Sequence, residues 1–174
     1  MMKSSSPTTK IVTLRRAGMH ARQAKLKGKT IVMISGCFDV LHIGHIEYFR
    51  FAKQHADILI VGIDNDANIR RNKGGHRPIF TVDQRLQVLA ELNSIDYVFE
   101  IKDKISFNSD AADRMLKKIL TTVHPHYYVC HQQAGPALKR KTELCSALGI
   151  ELLIDPSPKI TSSSAIVEQL IQEA

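Results

Sequence analysis

Ile31-Val32-Met33-Ile34-Ser35-Gly36-Cys37-Phe38-Asp39-Val40-Leu41-His42-Ile43-Gly44-His45 is the stretch on which the fold turns. It opens with apolar, mostly β-branched residues that stop at a glycine, the pattern of a buried strand. Apolar residues at 43, 46, 49 and 52, with polar residues between them, predict a helix over 43–55. The same alternation continues downstream. Strands are expected at 58–63, 95–101, 126–130 and 150–154, and helices at 81–92, 109–123, 136–148 and 162–173. Thr81 is a candidate N-cap, and Pro136 opens a helix that Gly149 stops. Strands alternating with helices build βαβ units. The expected fold class is therefore α/β, a doubly wound five-stranded parallel sheet with helices on both faces. Ligands of such sheets bind beyond the carboxyl ends of the strands, near the reversal of strand order. The segment after the first strand is the first place to look.

Composition sets the bounds. The 174 residues, 44% hydrophobic and 24% charged, can build a core without disulfides or a structural metal. No apolar run approaches the ~20 residues needed to span a bilayer, and no continuous apolar stretch marks a secretory signal. Cys37, Cys130 and Cys145 are odd in number and far apart, which suits reduced thiols in the cytoplasm. The net charge of +7 is unevenly placed: residues 1–30 hold eight Lys/Arg and no acid, and the rest of the chain nets −1. The expected division is a basic, partly disordered N-terminal arm at 1–29 and a folded domain at 30–174. A solvated, partly helical leader is the plain reading of the arm; an organelle transit peptide and a polyanion contact are the alternatives. The body carries no basic excess, so nucleic acid is a disfavoured partner, although the arm leaves it open.

Segment 35–45 runs off a strand into a helix, where free N–H groups and the positive end of the dipole favour an anion. His42 and His45 are three apart and share one face of the first turn. Gly44 between them removes a side chain where a phosphate would approach. Two imidazoles and a helix N-terminus can hold a polyphosphate and stabilise charge that develops on it. Zinc is the competing occupant, but no third ligand stands in tight spacing. His124, His126, Cys130 and His131 form another candidate metal set, weakened because strand alternation puts 126 and 130 on one face and 131 on the other. No metal ligand is assigned.

Gly36-Cys37-Phe38-Asp39-x-x-His42-x-Gly44-His45 resembles the signature of the cytidylyltransferase-like nucleotidyltransferases. Further similarities follow in order: Asp57-x-Leu59-Ile60-Val61-Gly62-x-x-x-Asp66, Lys73-Gly74 with Arg77-Pro78, Gln84-Arg85 with Leu89 and Asp96-Tyr97-Val98, and Ile160-Thr161-Ser162-Ser163-Ser164-x-Ile166. Together they cover about residues 30–170. Within this superfamily, Gly-Cys-Phe-Asp with Lys-Gly-x-x-Arg-Pro is most similar to the ADP-heptose synthase (heptose-phosphate adenylyltransferase) group, with ethanolamine-phosphate cytidylyltransferases second.

The resemblance implies a Rossmann-like fold of the nucleotidyltransferase type. It implies an enzyme that transfers a nucleotidyl group, AMP favoured, from an NTP to a phosphorylated small molecule such as a sugar phosphate, releasing pyrophosphate. Mg²⁺ is the implied cofactor. His42, His45 and Lys73 would be catalytic, with Lys73 on a mobile glycine-containing loop. Gly36, Cys37, Phe38, Asp39, Gly44, Arg85, Ser162, Ser163 and Ser164 would contact the nucleotide. Asp39 and Asp66 also suit a loop-fixing role, Arg85 a structural ion pair, and Cys37 a small buried residue. Two departures stand out. Val129-Cys130-His131-Gln132-Gln133-Ala134-Gly135 lacks the family's acid after the fourth strand, and Lys159 stands near a position where the family has arginine. They leave open a cytidylyltransferase acting on ethanolamine or glycerol phosphate, or a non-catalytic nucleotide-binding module on the same fold. A homo-oligomer is compatible with the family.

Overall fold

Side-chain alternation along the first strand creates two cores. In β1 (Ile31–Gly36), Ile31 and Met33 face one side of the sheet and Val32 and Ile34 the other, all fully buried. The computed structural model describes residues 7–133, 135–158 and 161–172. It places β1 at the centre of five parallel strands with β2 (Ile58–Asp64), β3 (Tyr97–Ile101), β4 (Tyr127–His131) and β5 (Glu151–Asp155), in the order β3-β2-β1-β4-β5. The order reverses between β1 and β4, so the doubly wound sheet is as expected.

On one face, α3 (Ile43–Gln54) and α5 (Val82–Glu91) pack Phe49, Ala52, Leu86 and Leu89 toward Ile34 and Val61. The other face is covered by α2 (Leu14–Lys25), α6 (Asp110–Val123) and α7 (Pro136–Ala147), which set Ala17, Ala21, Leu116, Leu120 and Cys145 toward Met33, Ile60 and Phe99. Thr81 does cap α5, in a reciprocal box with Gln84. The chain closes with α8 (Ser163–Gln172).

Two features depart from the sequence reading. A short helix, α4 (Asp66–Lys73), follows β2 where only a loop was expected. The second departure is the arm. Met1–Ser6 lie outside the described residues, but α1 (Pro7–Lys10) packs near α5, and the Val12 N–H donates to Val98 O at 2.9 Å, extending the sheet beside β3. In α2, Ala17, Ala21 and Ala24 form a buried stripe, while Arg15, Arg16 and Arg22 are exposed. Gly18 lets α2 approach α6 closely: a Cβ there would stand 2.5 Å from Thr122 O. A boundary at residue 29 therefore cuts through a packed core. Small apolar residues at helical spacing make this segment part of the domain, and Arg15, Arg16 and Arg22 occupy the solvent face of α2, while the buried Lys10 donates to Leu92 O at 3.0 Å.

Candidate active site

Beyond the carboxyl ends of the central strands opens a cleft of about 470 Å³. The turn from β1 into α3 lines it with Gly36, Cys37, Phe38, His42, Gly44 and His45; α4 adds Lys73; and the start of α8 adds Ser162, Ser163 and Ser164. The two imidazoles stack with centroids 3.9 Å apart and planes 25° from parallel. Phe38 meets His45 edge-on at 5.3 Å. A Cβ on residue 44 would lie 3.1 Å from His42 Nδ1, so glycine leaves room for the ring pair. Burial, then the His42 ring and the Lys73 charge, push the His45 pKa down to about 4. His45 is thus neutral near pH 7, and its buried Nδ1 makes no hydrogen bond among the described residues.

Lys73 is the last residue of α4, not part of a loop. Asn65 caps this helix through its Oδ1, which accepts from Asn68 N at 2.9 Å. Asn65, Asn68 and Asn72 then bind the chain after β3: Asn65 Nδ2 donates to Ile101 O (2.8 Å) and Asn68 Nδ2 to Asp103 O (2.9 Å). In return, Ile105 N donates to Asn68 Oδ1 (2.9 Å) and Phe107 N to Asn72 Oδ1 (2.7 Å). Three side-chain amides fix the helix that carries Lys73. Its ammonium stands at a helix C-terminus, where a cation is favoured.

Asp39 and Arg85 do not line the cleft; both build it from beneath. Asp39, 2% exposed, accepts from Arg77 Nε (2.7 Å) and from the N–H groups of Ile79 and Phe80 (2.9 Å each). Arg77 also donates to Ser163 O at 3.2 Å, and Ser163 Oγ donates to Val40 O at 2.9 Å, which ties α8 to the β1 turn. Arg85, also 2% exposed, donates to Cys37 O (2.6 Å), Asp64 O (2.8 Å), Phe80 O (3.1 Å) and Asp66 Oδ1 (2.7 Å). The donors that were assigned to a nucleotide are spent on the ends of β1 and β2, as in the ion-pair alternative. Ser162 Oγ accepts from Ala165 N at 3.1 Å, an ordinary cap. The Cys37 thiol donates to Asp64 Oδ2 at 3.6 Å; burial, then the Asp64 carboxyl, push its pKa up to about 12, so it is no nucleophile.

The family model described as Cytidylyltransferase-like matches residues 33–168. This chain belongs to the cytidylyltransferase-like family of nucleotidyltransferases. The chain is 34% identical over 163 residues to the bifunctional protein HldE of Pseudomonas paraeruginosa, covering 94% of this chain and 32% of that protein. HldE of Shewanella baltica is 44% identical over 98 residues, covering 56% and 19%. The chain thus spans a third or less of the length of these relatives. Among solved structures, a lipopolysaccharide core biosynthesis protein from Thermoplasma volcanium shares 28% identity at a TM-score of 0.55, covering 72% of this chain and 93% of that one. A pantoate-beta-alanine ligase from Francisella tularensis shares the fold, with 17% identity, a TM-score of 0.65 and coverage of 94% and 78%.

The cleft of this family member also holds residues that sequence reading missed: Ser35, Glu47, Tyr48, Lys141 and Asp155. None lies in a motif, and Lys141 reads from sequence as a solvated helix lysine. In the segment that lacks the family's acid, His131 Nδ1 accepts from Gln133 N (3.1 Å), so its Nε2–H donates to Ser157 O (2.8 Å). The histidines of the candidate metal set point to different tasks: His124 caps α6, His126 Nδ1 accepts from Ile31 N at 2.9 Å, and His131 joins the loops after β4 and β5. Among the described residues, no group of three or more His, Cys, Asp or Glu converges as a metal cage. Ala134, Lys159 and Ile160 lie outside the described residues.

Proposed function

We propose that this protein transfers a nucleotidyl group, AMP by preference, from an NTP to a sugar phosphate and releases pyrophosphate. The observation that carries the reading is the convergence of the stacked His42–His45 pair, Lys73 and the start of α8 in one cleft at the reversal of strand order. A phosphoryl oxygen of the acceptor attacks the α-phosphorus; the bond from that phosphorus to the bridging oxygen breaks, and its electrons leave with pyrophosphate. No covalent enzyme intermediate is needed. His42 and His45 hydrogen-bond the oxygens on which charge crowds, a role suited to the neutral, desolvated His45 ring. Lys73 and the amides at the start of α8 hold the departing phosphates. Mg²⁺ would be held by phosphate oxygens of the NTP with Glu47 and Asp155, the carboxylates among the described residues that line the cleft, and would neutralise charge on the phosphates. The preference for AMP and a sugar phosphate is supported by the resemblance to the ADP-heptose synthase group and by the HldE relatives.

The test is pyrophosphate release with Mg²⁺, ATP or CTP, and a panel of heptose 1-phosphate, glucose 1-phosphate, ethanolamine phosphate and glycerol phosphate. Turnover with ATP and a sugar phosphate is expected. Turnover only with CTP and an alcohol phosphate would replace the preference, and no release in any combination would overturn the enzyme. His45→Ala should keep its circular dichroism and lose about 10²-fold or more in kcat. Unchanged turnover in that variant removes the histidines from the mechanism.

A further inference from the structure

Nucleotidyl transfer brings two phosphate-bearing anions together, and repulsion between them must be offset on both sides of the forming bond. Among the described residues that line the cleft, the cations are Lys73 and Lys141. Lys73 comes from the helix that follows β2 and stands with the His pair. Beside Asp155 at the end of β5, the end of β4 adds no charge, because Cys130-His131-Gln132-Gln133-Ala134-Gly135 holds no lysine, arginine or acid. Lys141 supplies one there from α7.

Its placement is specific. The Lys141 ammonium stands 5.8 Å from the centroid of the Tyr128 ring. That ring is fully buried, and its hydroxyl is bonded to Ser35 Oγ at 2.7 Å. The hydroxyl of Tyr48, another lining residue, is turned away and donates to Val129 O at 2.8 Å. Of the carboxylates around the site, Asp39 pairs with Arg77 and Asp66 with Arg85, Asp155 accepts from Ser157, and Glu47 lines the cleft. Lys141 joins no ion pair and no hydrogen bond among the described residues. Asp64 acts on it only through longer-range electrostatics. An ammonium with three unspent donors, its stem buried and its head facing a cleft, is a ready anion contact. Its charge is secure: the Tyr128 hydroxyl outweighs burial and holds the pKa above the ordinary lysine value.

We propose that Lys141 binds the phosphoryl group of the acceptor, holding it on the β4 side of the cleft while Lys73 holds the NTP. This assignment rests on the nucleotidyl-transfer reading above. It gives each anion its own cation, on opposite sides of the point where the strand order reverses.

The experiment compares wild type with Lys141→Met, Lys141→Gln and Lys141→Arg. With heptose 1-phosphate or glucose 1-phosphate, Met and Gln should raise the KM of the sugar phosphate about 10- to 100-fold, the loss of one charge-assisted contact. The KM of ATP and the melting temperature should stay unchanged, and Arg should recover much of the acceptor binding. An unchanged acceptor KM, or an ATP KM that rises in parallel, would overturn the proposal. If Met unfolds, Gln carries the same measurement. If wild type turns over nothing, the transfer reading falls, and calorimetry with inorganic phosphate on the complex with α,β-methylene-ATP decides this one. Phosphate binding that Lys141→Gln abolishes keeps the subsite; equal binding by both proteins removes it.

Discussion

His45 is a base that burial has taken out of titration near neutrality. Its folded pKa, about 4, lies below the ordinary value of 6.5. The unfolded ring therefore takes a proton from about pH 6.5 downward while the folded ring waits until about pH 4. This residue withdraws stability as pH falls across that window and contributes nothing above it. A bound triphosphate reverses the local balance, because its negative charge favours imidazolium. NTP binding at pH 5.5 should thus be coupled to proton uptake at His45. Calorimetry in two buffers of different ionisation enthalpy reads the proton count. Subtracting the count for His45→Asn removes contributions from the nucleotide itself. Wild type should take up more protons than the variant; equal counts would mean that the phosphates lie away from the ring. Asp39 and Arg85 teach a related lesson at this scale. Sequence pattern placed both beside the turn after β1, but could not distinguish a residue that touches ligand from one that braces the floor, since both uses demand the same residue types in the same turn.

Among the elements, the strands and the helices that cover them were legible because each buries an apolar face whose period survives in the sequence. The helix α4 was not, because it docks by amides. Asn65, Asn68 and Asn72 recur at helical spacing on one face, and their partners are backbone groups after β3 that no hydrophobic pattern marks. The consequence reaches the site, since Lys73 was expected on a mobile loop and instead ends a fixed helix. Asn68→Ala leaves Ile105 N–H without its acceptor and takes from Asp103 O one of its two donors, Asn65 Nδ2 remaining at 3.2 Å. Asn68 is 1% exposed, so water does not replace them cheaply, and the loss should be about 1–3 kcal/mol in urea unfolding. The same variant should raise the KM of ATP while leaving that of the acceptor unchanged, because the lysine it loosens serves the triphosphate. A stability loss with no change in ATP binding would detach Lys73 from the ladder. Lys141 was illegible for another reason: a lone lysine in a helix carries no signal until β4 and Tyr128 are placed beneath it.

For the whole molecule, the decisive misreading concerned charge. Eight basic residues without an acid suggested an arm, yet charge reports only the solvent face of a segment. The opposite face of α2 closes one of the two cores, and Val12 and Leu14 pack with it. Buried Val12 contributes about 1.5–3 kcal/mol and half-buried Leu14 less, and removing the segment would also take away Ala17 and Ala21 and bare Phe99, Leu116 and Leu120. That sum reaches the 5–15 kcal/mol that holds a typical domain together. A chain beginning at residue 30 should therefore show no cooperative thermal transition by circular dichroism. Replacing exposed Arg15, Arg16 and Arg22 by glutamine should leave the transition close to wild type, since surface charges contribute little. The pair of measurements separates packing from charge. If the shortened chain melts like the full one, the segment is an appendage after all. If the glutamine variant collapses as well, the charges hold the helix in place and the alanine stripe is incidental.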